Sequence, residues 1–96
     1  AKDLEMDIVR REVRRQGKLV QVSSKEFAIL EYLLRNKNRV LSKTNIMTHV
    51  WDFYADILPN NVEVFINYLR GKIDKPFKGD QLIQTVRGFG YVIRDE

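Results

Sequence analysis

Cysteine is absent from the 96-residue chain. Disulfide staples and thiolate metal sites are therefore excluded, and a reducing, cytoplasmic setting fits. There is a single histidine, His49, and one imidazole without cysteine partners is a poor basis for a metal centre. No serine–histidine–acid set can be assembled from so few candidates, so no metal, cofactor or enzymatic activity is expected. No apolar run approaches the roughly 20 residues of a membrane span, and the amino end carries no signal-peptide pattern. Repeats and low-complexity tracts are also missing, so one domain over residues 1–96 is expected. Ala1 stands where an initiator methionine would, which reads as a piece of a longer protein.

Charge of both signs is plentiful. Seventeen basic side chains against thirteen acidic ones leave a formal net charge of +4, a balance that favours polyanionic partners without requiring one. The most basic stretch is Arg10, Arg11, Arg14, Arg15 and Lys18, with Glu12 as its sole counter-charge. Three readings of it stay open: a solvated face, a secondary phosphate contact, or an interface with an acidic partner domain.

The element order follows from periodicity and punctuation. Leu4 to Ile8, Glu12 to Arg15 and Leu19 to Val22 are short β-compatible pieces, and Gln16-Gly17 supplies a turn between the last two. Ser23 and Glu26 have the spacing of a capping box, so a helix starts there. Phe27, Leu30, Leu33 and Leu34 form its apolar face, and Asn36 to Arg39 ends it, asparagine tolerating a left-handed stop. Val40-Leu41 is too short for a strand unless it pairs at a sheet edge. Ser42 caps a second helix with Ile46, Met47, Val50 and Trp51 as its buried stripe. Pro59 is placed to open a third.

The third helix is the most informative. At about 100° per residue, Val62, Ile66, Leu69 and Ile73 share a sector of roughly 60°, the core stripe. The opposite face carries Asn60, Val64, Asn67, Tyr68 and Gly71. A solvated face is ordinarily filled with glutamate and lysine. Here there are amides, a phenol and a bare valine, and Gly71 costs about 1 kcal/mol of helix stability relative to alanine. The composition suits a surface that meets something. Two strands follow, Gln81 to Val86 and Tyr91 to Arg94. The fold class is α+β: an N-terminal antiparallel sheet, three helices and a C-terminal β-hairpin, the outline of a winged helix-turn-helix.

"TVRGFGYVI", Thr85 to Ile93, holds two glycines, but the third glycine and the following helix of a dinucleotide fingerprint are missing. Tyr-Val-Ile is a strand former. Gly88 and Gly90 instead permit a tight hairpin with Arg87 near its tip, either solvated or offered to an electronegative minor groove. Asn67 has the chemistry to pair with adenine N6 and N7, Val64 to pack on a thymine methyl, and Tyr68 to meet a phosphate or sugar. Trp51 reads as core, His49 as a surface or packing residue, and Glu26 as a cap.

The segments "VSSKEFAILEYLLRNKNRVLSKTNIMTHVW", "NNVEVFINYLRGKID" and "LIQTVRGFGYVI" together resemble the effector domain of OmpR/PhoB-type response regulators of bacterial two-component systems. The resemblance runs from Leu4 to Ile93. It implies a winged helix with a four-stranded amino-terminal sheet, preceded in the full protein by a phosphorylatable receiver domain that answers to a sensor histidine kinase. It further implies binding to direct repeats in promoter DNA as a tandem dimer. RNA polymerase would be contacted through the loop Asp52, Phe53, Tyr54, Ala55, Asp56, Ile57 and Leu58. Carried over by position, Lys43 and Trp51 lie on phosphates. Asn60, Asn61, Val64, Asn67, Tyr68 and Arg70 face the major groove, Thr85 meets the backbone and Arg87 enters the minor groove. Many relatives carry arginine at the position of Asn60 and an arginine pair at Asn67-Tyr68, so less guanine readout is expected. The competing expectation is a winged-helix module whose third-helix face meets protein.

Overall fold

Residues 3–51, 59–77 and 81–94 are described by a computed structural model. Strands β1 (Leu4–Asp7), β2 (Glu12–Arg15) and β3 (Lys18–Val20) form an antiparallel sheet in chain order. The register sets Met6 opposite Val13 and Val13 opposite Val20, so alternate apolar side chains turn to one face. Gln16 and Gly17 both have positive φ, 52° and 80°. That is the two-residue hairpin whose twist matches the flanking strands. The resemblance implied four strands here; among the described residues there are three.

Helix α1 (Ser24–Arg35) begins as its capping box dictates. Ser23 Oγ accepts from the Glu26 amide at 3.2 Å, and Glu26 Oε1 accepts from the Ser23 amide at 2.7 Å. Phe27, Ile29, Leu30 and Leu33 are buried. The left-handed stop falls on Asn38, with φ 68°, and its amide donates to the Ile93 carbonyl at 2.9 Å. Helix α2 (Lys43–Val50) is boxed in the same way by Ser42 and Asn45, and it buries Ile46. Between these helices Leu41 forms an isolated antiparallel bridge with Tyr91, the edge pairing that a two-residue apolar piece required.

Helix α3 (Pro59–Ile73) opens on its proline and buries Val62, Ile66, Leu69 and Ile73 completely, the stripe expected from periodicity. Strands β4 (Ile83–Val86) and β5 (Gly90–Ile93) make a separate two-stranded hairpin. Its inner residues Ile83, Tyr91 and Ile93 join the three helices and the N-terminal sheet in one core. Of the stripe expected for α2 only Ile46 is fully buried; Met47, Val50 and Trp51 are half-buried and pack against that core. The arginine cluster does not form a uniform solvated face. Arg15 is 2% exposed, because the Asp3 and Asp74 carboxylates and the Ile73 carbonyl receive its guanidinium inside the protein.

Candidate nucleic-acid interface

The three helices leave one face of α3 uncovered. Val64 is 41% exposed and Tyr68 55%, and Asn67 and Gly71 are exposed with them. Nothing lies within 4 Å of where a Gly71 Cβ would stand, so the helix offers a shallow, unobstructed ridge. Asn60 and Asn61 occupy the first turn of α3; their side chains lie outside the described residues, as does the loop from Asp52 to Leu58.

One flank of this ridge is aromatic. The Trp51 ring meets Phe65 edge-on with centroids 5.3 Å apart, and Phe65 meets Tyr68 edge-on at 6.0 Å. Trp51, at the end of α2, is thereby linked through Phe65 to the exposed phenol of α3. Lys25 Nζ sits 5.7 Å from the Trp51 ring and donates to the Val50 carbonyl at 3.2 Å, bringing a cation to the same edge.

The other flank joins the hairpin. Arg70 was expected to face nucleic acid, yet much of its guanidinium is occupied within the protein. Nε and Nη2 both donate to the Ile83 carbonyl, at 3.1 and 3.0 Å, and Nη2 also donates to Thr85 Oγ1 at 2.5 Å. It further stacks 5.6 Å from the Tyr91 ring centre. Arg70 and Thr85 thus hold each other across the helix–hairpin junction. Lys43, in the first turn of α2, sits 3.2 Å from Glu63 Oε2 with both side chains about half-solvated. Such an exposed pair is worth little and yields readily to a better anion. Burial pushes the Tyr91 phenol up, so it stays neutral beneath these charges.

At the hairpin tip, Val86 pairs with Gly90, and Arg87, Gly88 and Phe89 form the turn. The Phe89 amide donates to the Val86 carbonyl at 2.9 Å, and Gly88 takes φ 83°. Gly90 has a different reason to be glycine. A Cβ there would meet the Leu41 carbonyl oxygen at 2.0 Å, so only a bare backbone can close the bridge to Leu41. The glycine pair is therefore hinge chemistry, and no phosphate cradle forms. Arg87 is exposed at the tip as expected. Phe89 is 73% exposed beside it. Sequence reasoning passed over this residue, although an aromatic between two turn glycines was the signal. His49 stacks on Tyr32 at 3.9 Å, a packing role. Among the described residues no group of three metal-donating side chains converges.

A helix pair whose second member presents an open polar ridge, with a β-hairpin beside it, defines a winged helix. The family model described as "Transcriptional regulatory protein, C terminal" matches residues 17–93. The chain belongs to that family and is the winged-helix effector domain of an OmpR/PhoB-type response regulator. It is 45% identical over 91 residues to the transcriptional regulatory protein CusR of Escherichia coli K12, covering 95% of this chain and 40% of CusR. It thus spans about two fifths of that relative's length. The response regulator DrrB of Thermotoga maritima, described as an OmpR/PhoB homologue, superposes with a TM-score of 0.85 at 27% identity, over 97% of this chain and 42% of DrrB. The DNA-binding domain of Klebsiella pneumoniae RstA, solved in complex with the RstA box, gives 0.82 at 26% identity, over 96% of this chain and 91% of that one.

Proposed function

We propose that this domain binds double-stranded DNA in a sequence-specific manner to regulate transcription, as the output half of a two-component response regulator. The observation that carries the reading is the open ridge of α3, where Val64, Asn67, Tyr68 and Gly71 lie exposed beside a hairpin that ends in Arg87. A helix of this width fits the major groove, and a short ribbon with an arginine tip fits the neighbouring minor groove. Asn67 reads adenine, Val64 meets a thymine methyl, and Asn60 and Asn61 extend the same face. Tyr68 and Trp51 border the sugar–phosphate backbone. Lys43, released from Glu63, and the donors of Arg70 not spent on the hairpin meet phosphates alongside Thr85.

Family membership supports a wider reading. The domain works in the cytoplasm, without enzymatic activity of its own. Two copies bind direct repeats in a promoter as a tandem dimer, and a receiver domain in the full protein takes its signal from a sensor histidine kinase. The Asp52–Leu58 loop engages RNA polymerase.

Selecting bound duplexes from a random pool tests the reading. The expected product is a pair of directly repeated half-sites with an A·T-rich segment next to each. Recovery of a pool with no common sequence would overturn it.

A further inference from the structure

Two buried charged side chains outside the interface take no part in the reading above. Arg15 lies on β2, and Asp74 follows the end of α3 with its side chain only 5% exposed. Arg15 Nη1 donates to Asp74 Oδ1 at 3.1 Å and to the Ile73 carbonyl, while Nε donates to Asp3 Oδ1 at 2.7 Å. Asp74 spends its oxygens on the hairpin: Oδ1 accepts the Leu82 amide at 2.9 Å and Oδ2 the Ile83 amide at 3.3 Å. One helical turn earlier, Arg70 takes the Ile83 carbonyl. Both polar groups of the first β4 residue are therefore held by side chains at the end of α3, and one of those side chains is fixed by an arginine of the N-terminal sheet.

This arrangement has a lever in it. Arg87 lies four residues beyond Ile83, about 13 Å along an extended strand, so each 10° of play at the clamp moves the tip by about 2 Å. That displacement is enough to take a guanidinium out of a narrow groove. A buried ion pair is a poor device for stability, since apolar residues of the same volume serve as well or better. It does fix direction.

We propose that Arg15 and Asp74 are positioning residues for the wing, a buried relay from the N-terminal sheet that sets where Arg87 stands relative to α3. The inference rests on the reading that α3 and the wing occupy neighbouring grooves. It makes the N-terminal sheet part of DNA discrimination through the position of the wing.

The test uses the 96-residue chain and a duplex selected from a random pool, with the segment beneath the wing changed from A·T to G·C pairs. Arg87→Ala measures how much of that discrimination the wing supplies. Asp74→Asn, Arg15→Met and the double variant are then compared with it, each also in the Arg87→Ala background. The double variant leaves neither member of the pair as an unpartnered buried charge, which protects the fold. The expected result is a loss of A·T preference of about fivefold or more, the lower range for one base-pair discrimination. No further loss should appear once Arg87 is gone, and preference at the bases under Asn67 should persist. A double variant that discriminates like the parent overturns the proposal, as does a loss that adds to that of Arg87→Ala or falls equally on every duplex. Should Arg87→Ala itself leave the A·T preference intact, the wing's groove contact fails and takes the relay with it. That pattern is distinct from a failure of the relay alone, in which Arg87→Ala acts and Arg15 does not.

Discussion

Gly71 and Gly90 are the same residue type under opposite constraints, and substitution separates them. At Gly90 the φ of 151° and the Leu41 carbonyl in the space of a Cβ leave no room for alanine. Gly90→Ala is expected to break the Leu41–Tyr91 bridge and cost about 3 kcal/mol or more, as changes that force a strained backbone into a packed one do; urea denaturation measures it. Gly71 is helical with open space around it, so Gly71→Ala should raise stability by up to about 1 kcal/mol. A leucine at the same position should keep much of that gain while losing DNA affinity, because it fills the middle of the ridge. Unchanged affinity in Gly71→Leu would mean that this face stays in solvent. Asn67→Ala belongs with these changes. On the proposed reading it removes a bidentate adenine contact, which should cost about 1–3 kcal/mol at one base position and relax selection there alone; competition against single-base duplex variants reads this directly.

The helices are joined by latches as well as by apolar stripes. Glu26 closes the α1 capping box and also receives Lys72 Nζ of α3 at 2.6 Å. Burial acts to raise the Glu26 carboxyl, but the hydrogen bonds from Lys72 and the Ser23 amide outweigh it and hold the group below its ordinary value of 4.5. A carboxyl depressed in the folded state adds stability that is fully present above the unfolded pKa and is lost as pH falls through the folded one. Glu26→Gln should therefore cost about 1–3 kcal/mol at neutral pH, and the gap to the parent should narrow on the acid side of 4.5 in melts run across pH. Half of this latch was legible in the sequence: Ser23 and Glu26 stand three residues apart, and the α1 and α3 stripes follow from a 3.6-residue period. The rest was not, because its partners are remote in the chain. Lys72 lies 46 residues from Glu26, and Asp74 lies 59 from Arg15. Local composition made Arg15 one more cation in a basic run; only tertiary packing brings the carboxylates that bury it. Arg70 illustrates the same limit: the resemblance set it facing nucleic acid, and its engagement with β4, 13 residues on, was invisible in the sequence.

Net charge alone would make this domain a generic polyanion binder, yet the arrangement of charge points elsewhere. Of the cations near the ridge, Lys43 is engaged by Glu63 and Arg70 by the hairpin, and the N-terminal arginines lie on a separate sheet, one of them buried. Two of the described cations beside the ridge are thus engaged within the protein, so affinity is expected to rest on groove fit more than on charge density. The dependence of log affinity on log salt should be linear, with a slope near −0.9 for each phosphate neutralised, and shallow in total. Glu63 makes this testable in one substitution. As a carboxylate beside the ridge it repels the backbone and holds Lys43; Glu63→Gln removes both effects. Affinity should rise on every duplex, specific or not, the slope should steepen by about one phosphate contact, and the selected sequence should stay the same. Were Glu63 instead accepting from a cytosine amino group, the substitution would change base preference and leave the slope alone. Were the ridge a protein-binding face, neither affinity for DNA nor its response to salt would follow the charge removed. Fluorescence anisotropy on one selected and one scrambled duplex, from low salt upward, separates the three.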